Sequence, residues 1–226
     1  MTILQQFPII LLIIALSIPL FYCFFNKKEM LKKIIVLFLM GVVIIILYPI
    51  VSIFESVYGY FLGKAIIFTL IPLITVIYLE KIDVKKAFSE LGVKRDNLEI
   101  SIFYGLIAFL FTVIFSLKMY WGITANVVVD SNIVMFFEAF NEEFLFRGVL
   151  FLYLWKITDI RIAYATSIIG FILIHPQHFE SFFIVSTTAQ AILLAFVTHE
   201  TKNIVGPWIS HGLNRIVPNI IRALIF

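Results

Sequence analysis

The chain has 226 residues, of which 62% are hydrophobic and only 14% charged, whereas a soluble globular domain is about half apolar and about a quarter charged. That imbalance excludes an ordinary water-soluble domain, because a soluble chain of this size needs polar side chains over most of its surface. A net charge of +3, with basic residues dispersed between apolar runs, excludes a nucleic-acid partner, and the single cysteine, Cys23, excludes both a disulfide framework and a thiolate metal cage.

Lipid is therefore the solvent for much of the chain. A crossing needs ~20 mostly apolar residues for a hydrocarbon core about 30 Å thick. Eight segments qualify, to within one: residues 3–25, 34–54, 65–79, 100–117, 133–155, 162–174, 182–198 and 204–225. The first lacks a basic leader and a small-residue cleavage site, and reads as an uncleaved anchor. Residues 119–132 are short enough to dip into the membrane without crossing. The predicted fold class is all-α, a polytopic membrane protein forming one integral membrane domain over residues 1–226. Residues 1–132 supply N-terminal helices and an interfacial segment, and 133–226 the functional helices, with a site in a cavity among the C-terminal four.

Lys and Arg accumulate in cytoplasmic loops. With the N-terminus outside, the inside connections hold Lys27, Lys28, Lys32 and Lys33, then Lys81, Lys85, Lys86, Lys94 and Arg95, then Lys156, Arg161 and Lys202. Only Lys64, Lys118 and Arg222 fall outside. In the polar stretch 80–99, Val84, Ala87, Phe88 and Leu91 recur at helical spacing, which predicts a short amphipathic helix at the membrane surface, stopped by Gly92; a solvated loop is the competing expectation.

Two apolar segments carry charges that lipid does not tolerate without a function. Residues 133–155 contain Glu138, Glu142, Glu143 and Arg147. Glu143 and Arg147 stand four apart with the acid first, the orientation that favours an intrahelical ion pair. Glu142 lies about 100° around the helix, free to face a polar cavity as a desolvated general base. Glu138, one turn earlier on the Glu142 face, is placed nearer the interface, with a second acid in the site as the competing expectation. In the next segment Phe171 and His175 share a face, Pro176 ends the helix and His178 follows. The last segment offers Ser210, His211, Asn214 and Arg215, with His211 and Asn214 three apart across Gly212. Measured from one membrane face, Glu142, His175 and His211 sit at roughly 14, 10 and 19 Å of a ~30 Å core, so they can meet near its middle.

The pattern Glu142-Glu143-x-x-x-Arg147, then Phe171-x-x-x-His175, then His211 with Asn214 resembles the CAAX protease and bacteriocin-processing family, also called CPBP or Abi. The resemblance covers about the last ninety residues. It implies an intramembrane glutamic endopeptidase, multi-pass in the plasma membrane of a prokaryote, acting on a membrane-associated peptide or protein without a cofactor or metal. In that scheme Glu142 is the base, His175 helps to orient or deprotonate the water, His211 and Asn214 stabilise the oxyanion, and Glu143, Arg147 and Phe171 support the site. One departure stands out: the family's His-x-x-x-Asn has Arg215 at its fourth position here, with Asn214 three after His211. Competing functions are a non-proteolytic immunity or scaffold protein, a zinc protease using Glu and His ligands without a His-Glu-x-x-His pair, and a transporter with a Glu/His proton relay.

Overall fold

The apolar runs form helices because a backbone in lipid must satisfy its own hydrogen bonds. The computed structural model describes residues 8–52, 56–119, 122, 127–175, 178–179 and 181–225, and among these every regular element is helical. In chain order they are α1 (Leu12–Asn26), α2 (Leu31–Leu47), α3 (Val57–Glu80), α4 (Val84–Glu90), α5 (Leu98–Met119), α6 (129–157), α7 (Ile160–Leu173), α8 (Phe183–Thr201) and α9 (Val205–Ile225). Each segment expected to cross the membrane falls on one of the eight longer helices. Four stretches, Lys28–Leu47, Val57–Glu80, Leu98–Lys118 and Phe183–Thr201, are long and apolar enough to cross by themselves; α1 and α7 are shorter apolar helices. The stretch 119–132, expected to dip into the membrane, lies largely outside the described residues, as does Pro176; α7 already ends at Leu173.

Starts and stops follow local chemistry. Ser56 accepts from the Gly59 amide at 3.0 Å to start α3, and Asp83 and Asp159 cap α4 and α7 in the same way. Gly92 ends α4 as expected, with φ at +86° and the Ile204 amide against the place of a Cβ, so only glycine fits. The short helix α4 forms, and its apolar face is turned largely into the protein, with Val84 left exposed. Ala87 and Leu91 are fully buried in the protein and the Phe88 ring packs on Phe144, at 5.6 Å between centroids. The reason is α6, which runs long enough to meet it.

Small residues let helices approach closely where hydrophobicity alone gives no drive to associate. Gly206 of α9 sits on the Ser101 backbone of α5 and donates its amide to Ser101 Oγ at 3.0 Å. Gly212 leaves room for Phe136, which draws α9 against α6. Asn203 fastens the start of α9 by donating to the carbonyls of Lys94 and Asp96 at 2.8 and 3.0 Å. Within α6 the stretch Phe144–Tyr153 is wound as π-helix, and all ten of its residues are buried; such widened turns concentrate at functional sites.

Candidate active site

The site is built where α3, α6, α7 and α9 converge. Glu138, Glu142 and Glu143 on α6 are all buried, as are Lys64 on α3 and Arg147 on α6. Glu143 is engaged on both sides: Arg147 Nε forms an ion pair 3.2 Å from its Oε2, and His211 Nδ1 lies 2.8 Å from its Oε1. The expected intrahelical pair is present, and its acid also orients an imidazole. The Arg147 guanidinium lies over the Phe171 ring at 4.3 Å, a stacking that favours arginine over lysine.

Glu142 is not left unpaired by that arrangement. Its Oε1 accepts from Lys64 Nζ and, at 2.8 Å, from an Arg215 amino group. The other oxygen, Oε2, is buried without a hydrogen-bond partner and faces two imidazoles, His175 Nε2 at 3.8 Å and His211 Nε2 at 3.7 Å. The Phe171 carbonyl can only accept, so His175 Nδ1, 2.8 Å away, donates to it and Nε2 is the unprotonated nitrogen. His211 gives its Nδ1 proton to Glu143 and accepts at Nε2 from Arg215 Nε at 3.2 Å. The neutral His175 ring therefore presents a lone pair at the level of Glu142, whereas that of His211 is taken by Arg215.

The structure brings Glu142, Glu143, Arg147, Phe171, His175 and His211 together. It turns Asn214 elsewhere: its amide donates to Thr112 Oγ1 on α5, although the residue still lines the cavity. Arg215 occupies the place beside Glu142. Glu138, placed nearer the interface from the sequence, is fully buried one turn from Glu142, with Lys64 Nζ at 2.8 Å and Arg215 against its other oxygen. Lys64, assigned from the sequence to an outside connection, is 4% exposed inside α3 because that helix starts at Val57 and not at Ala65. The signal that locates it is the Ser56 cap, which extends the span toward the N-terminus. With Lys64 the site draws on the N-terminal half as well as the C-terminal four helices.

Lys64, Glu142, His175, His211, Asn214 and Arg215 border a cavity of about 550 Å³, within the range of small-ligand pockets. His178, beyond the end of α7, stacks on His175 at 5.2 Å between centroids, and its Nδ1 lies 2.6 Å from Thr187 Oγ1 on α8.

No curated protein and no solved structure matches the chain. A family does: residues 124–217, which span α6 to most of α9, match the description Rce1-like, type II CAAX prenyl endopeptidase. That stretch contains every residue of the three motifs and excludes Lys64. Motifs and match agree: over residues 124–217, less than half of its length, the chain is similar to the Rce1-like type II CAAX prenyl endopeptidases.

Proposed function

We propose that the protein is an intramembrane endopeptidase that hydrolyses a peptide bond of a membrane-associated substrate with water activated by Glu142 and His175. The observation that carries this reading is Glu142 Oε2, a buried carboxylate oxygen without a hydrogen-bond partner, flanked by the imidazole Nε2 atoms of His211 and His175 at 3.7 and 3.8 Å. Those separations are too long for direct hydrogen bonds and suit a water held between the groups. Glu142 takes a proton from that water as its oxygen bonds to the scissile carbonyl carbon, and returns the proton to the leaving amine. His175, its Nδ1 fixed on the Phe171 carbonyl, orients the water. The oxyanion is met by the Arg215 guanidinium with Asn214 beside it, and Arg215 is in turn held by the Glu143–His211 pair. Substrates compatible with the family are prenylated C-terminal peptides, bacteriocin-type leaders and membrane-bound signalling peptides.

A reconstituted cleavage assay tests this, with the substrate taken from a proteome-wide comparison of producing and deletion strains. Glu142→Gln is expected to lose about 10²- to 10⁴-fold of turnover, the range for a removed general base, while keeping the wild-type helical spectrum. An active Glu142→Gln protein sinks the proposal. Glu142 Oε1 is already held by Lys64 and Arg215, and among the described residues no three His, Cys, Asp or Glu side chains are grouped to hold a metal. Turnover is accordingly expected to be unchanged by chelators, with loss on chelation pointing to the zinc alternative. One observation favours a non-proteolytic scaffold or immunity protein: Glu138, Glu142 and Glu143 are matched in number by Lys64, Arg147 and Arg215. A wild type that cleaves nothing in the strain comparison selects that reading.

A further inference from the structure

The helices of the bundle sort their ends by charge. Lys33 of α2 reaches Glu80 at the end of α3 at 2.5 Å, Lys156 near the end of α6 reaches Glu80 and Glu90 at 3.2 and 2.8 Å, and Lys27 donates to the Thr158 carbonyl at 2.6 Å. Asn203 holds the Lys94 and Asp96 carbonyls, and Lys202 lies over the Trp155 ring. One end of the molecule thus gathers twelve of the basic residues, from Lys27 to Lys202. With Lys64 now inside the buried cluster, only Lys118 and Arg222 remain toward the other end.

The cavity belongs to that other end. Tyr48 follows the end of α2, Ser116 lies near the end of α5, Val128 precedes α6, His178 and Phe183 stand between α7 and α8, and Asn219 is in the last turns of α9. Each of these helices has its Lys- or Arg-bearing connection at its opposite terminus. Val128, at the rim, is 57% exposed. Toward the basic end the buried stretch Phe144–Tyr153, with α4 packed on it, and the ion pairs of Glu80 contribute no lining residue to the cavity.

We infer that the active-site cavity, as lined by the described residues, opens toward the face opposite the basic connections, so that its substrate is a polypeptide presented from the extracytoplasmic side. Basic connections mark the cytoplasmic face, which makes the neutral face the outer one. The substrate class is an exported or membrane-anchored chain whose cleaved segment lies outside the membrane or in its outer half, and a cytoplasmic C-terminal tail is excluded. The choice of substrate rests on the proposed peptidase function; the direction of the opening does not.

Two measurements separate them. In a Cys23→Ala background, Val128→Cys and Lys85→Cys variants produced in intact bacterial cells are treated with a membrane-impermeant maleimide. Val128→Cys is expected to label in intact cells, and Lys85→Cys, exposed on α4, only after lysis. The reverse pattern, or labelling of both positions from one side, overturns the inference whether or not the protein cleaves anything. In parallel, new peptide termini are compared between cells carrying wild type and Glu142→Gln. Termini that depend on Glu142 and map to extracytoplasmic segments support the inference, and termini confined to cytoplasmic segments overturn it. The absence of any such termini, with Val128→Cys labelled from outside, overturns the peptidase and leaves the outward opening established.

Discussion

The two ion clusters of this protein use the same chemistry under opposite conditions. At the basic end Glu80 is clasped by Lys33, Lys156 and the Tyr153 hydroxyl, at 2.5, 3.2 and 2.6 Å, with Lys156 nearly half exposed. In and behind the cavity wall Lys64, Glu138, Glu142 and Arg147 are almost wholly withdrawn from solvent. Exposed pairs contribute ~0–1 kcal/mol because water and salt screen them. Buried pairs cost so much to desolvate that their net contribution is small, yet removal of one partner strands a charge and costs about 3–5 kcal/mol. The comparison teaches that charge at the basic end ties the ends of α2, α3, α4 and α6 together, whereas charge at the site must balance ion by ion. That demand for balance keeps Lys64 and Arg215 beside acids that the proposed chemistry uses.

The largest expected effect is therefore at Lys64. Lys64→Met leaves Glu138 and Glu142 short of a cation and is expected to destabilise the protein by about 3–5 kcal/mol, read as a large drop in the thermal midpoint in detergent. Combining it with Glu138→Gln removes the surplus negative charge and should restore most of that loss. A Lys64→Met protein as stable as wild type breaks the comparison at its root.

Next comes the pair of neighbours on α9. Arg215→Ala is expected to lower turnover by about 10²-fold, in the range of a deleted oxyanion donor, because Arg215 reaches both Glu142 and His211. Asn214→Ala is expected to cost about tenfold or less, since its amide is engaged with Thr112 and one hydrogen bond of that kind is worth ~1 kcal/mol. The opposite ranking would return the oxyanion role to Asn214.

How much of this was legible in the sequence depended on how many charges shared one helix. Glu142, Glu143 and Arg147 announce themselves, since several ions in one apolar run have no cheap place in lipid. A lone Lys64 at the edge of an apolar run reads equally well as part of a loop, and only the start of α3 at Val57 decides otherwise. Glu138 was misplaced for a related reason: α6 begins at Val129, four residues earlier than its apolar run, which carries Glu138 a further ~6 Å inward at 1.5 Å per residue. The approach of α3 and α9 to α6 has no local signature, because it is a long-range packing of faces. Arg215 was visible only as a departure from a motif, and its contact with Glu142 required the fold.

The smallest effect tests the other half of the comparison. Lys33→Met removes one of the cations around Glu80, but Lys156 and the Tyr153 hydroxyl remain and Lys33 is itself partly exposed. Its loss is expected to cost under about 1 kcal/mol and to shrink further at high salt, where screening already weakens the pair. Turnover should be unchanged, since Glu80 belongs to the basic end and lies outside the groups that face the water. Thermal unfolding of wild type and variant at low and high ionic strength measures both terms. A cost as large as that of Lys64→Met, insensitive to salt, would mean that the basic end is as tightly balanced as the site and that its ties depend on that one lysine.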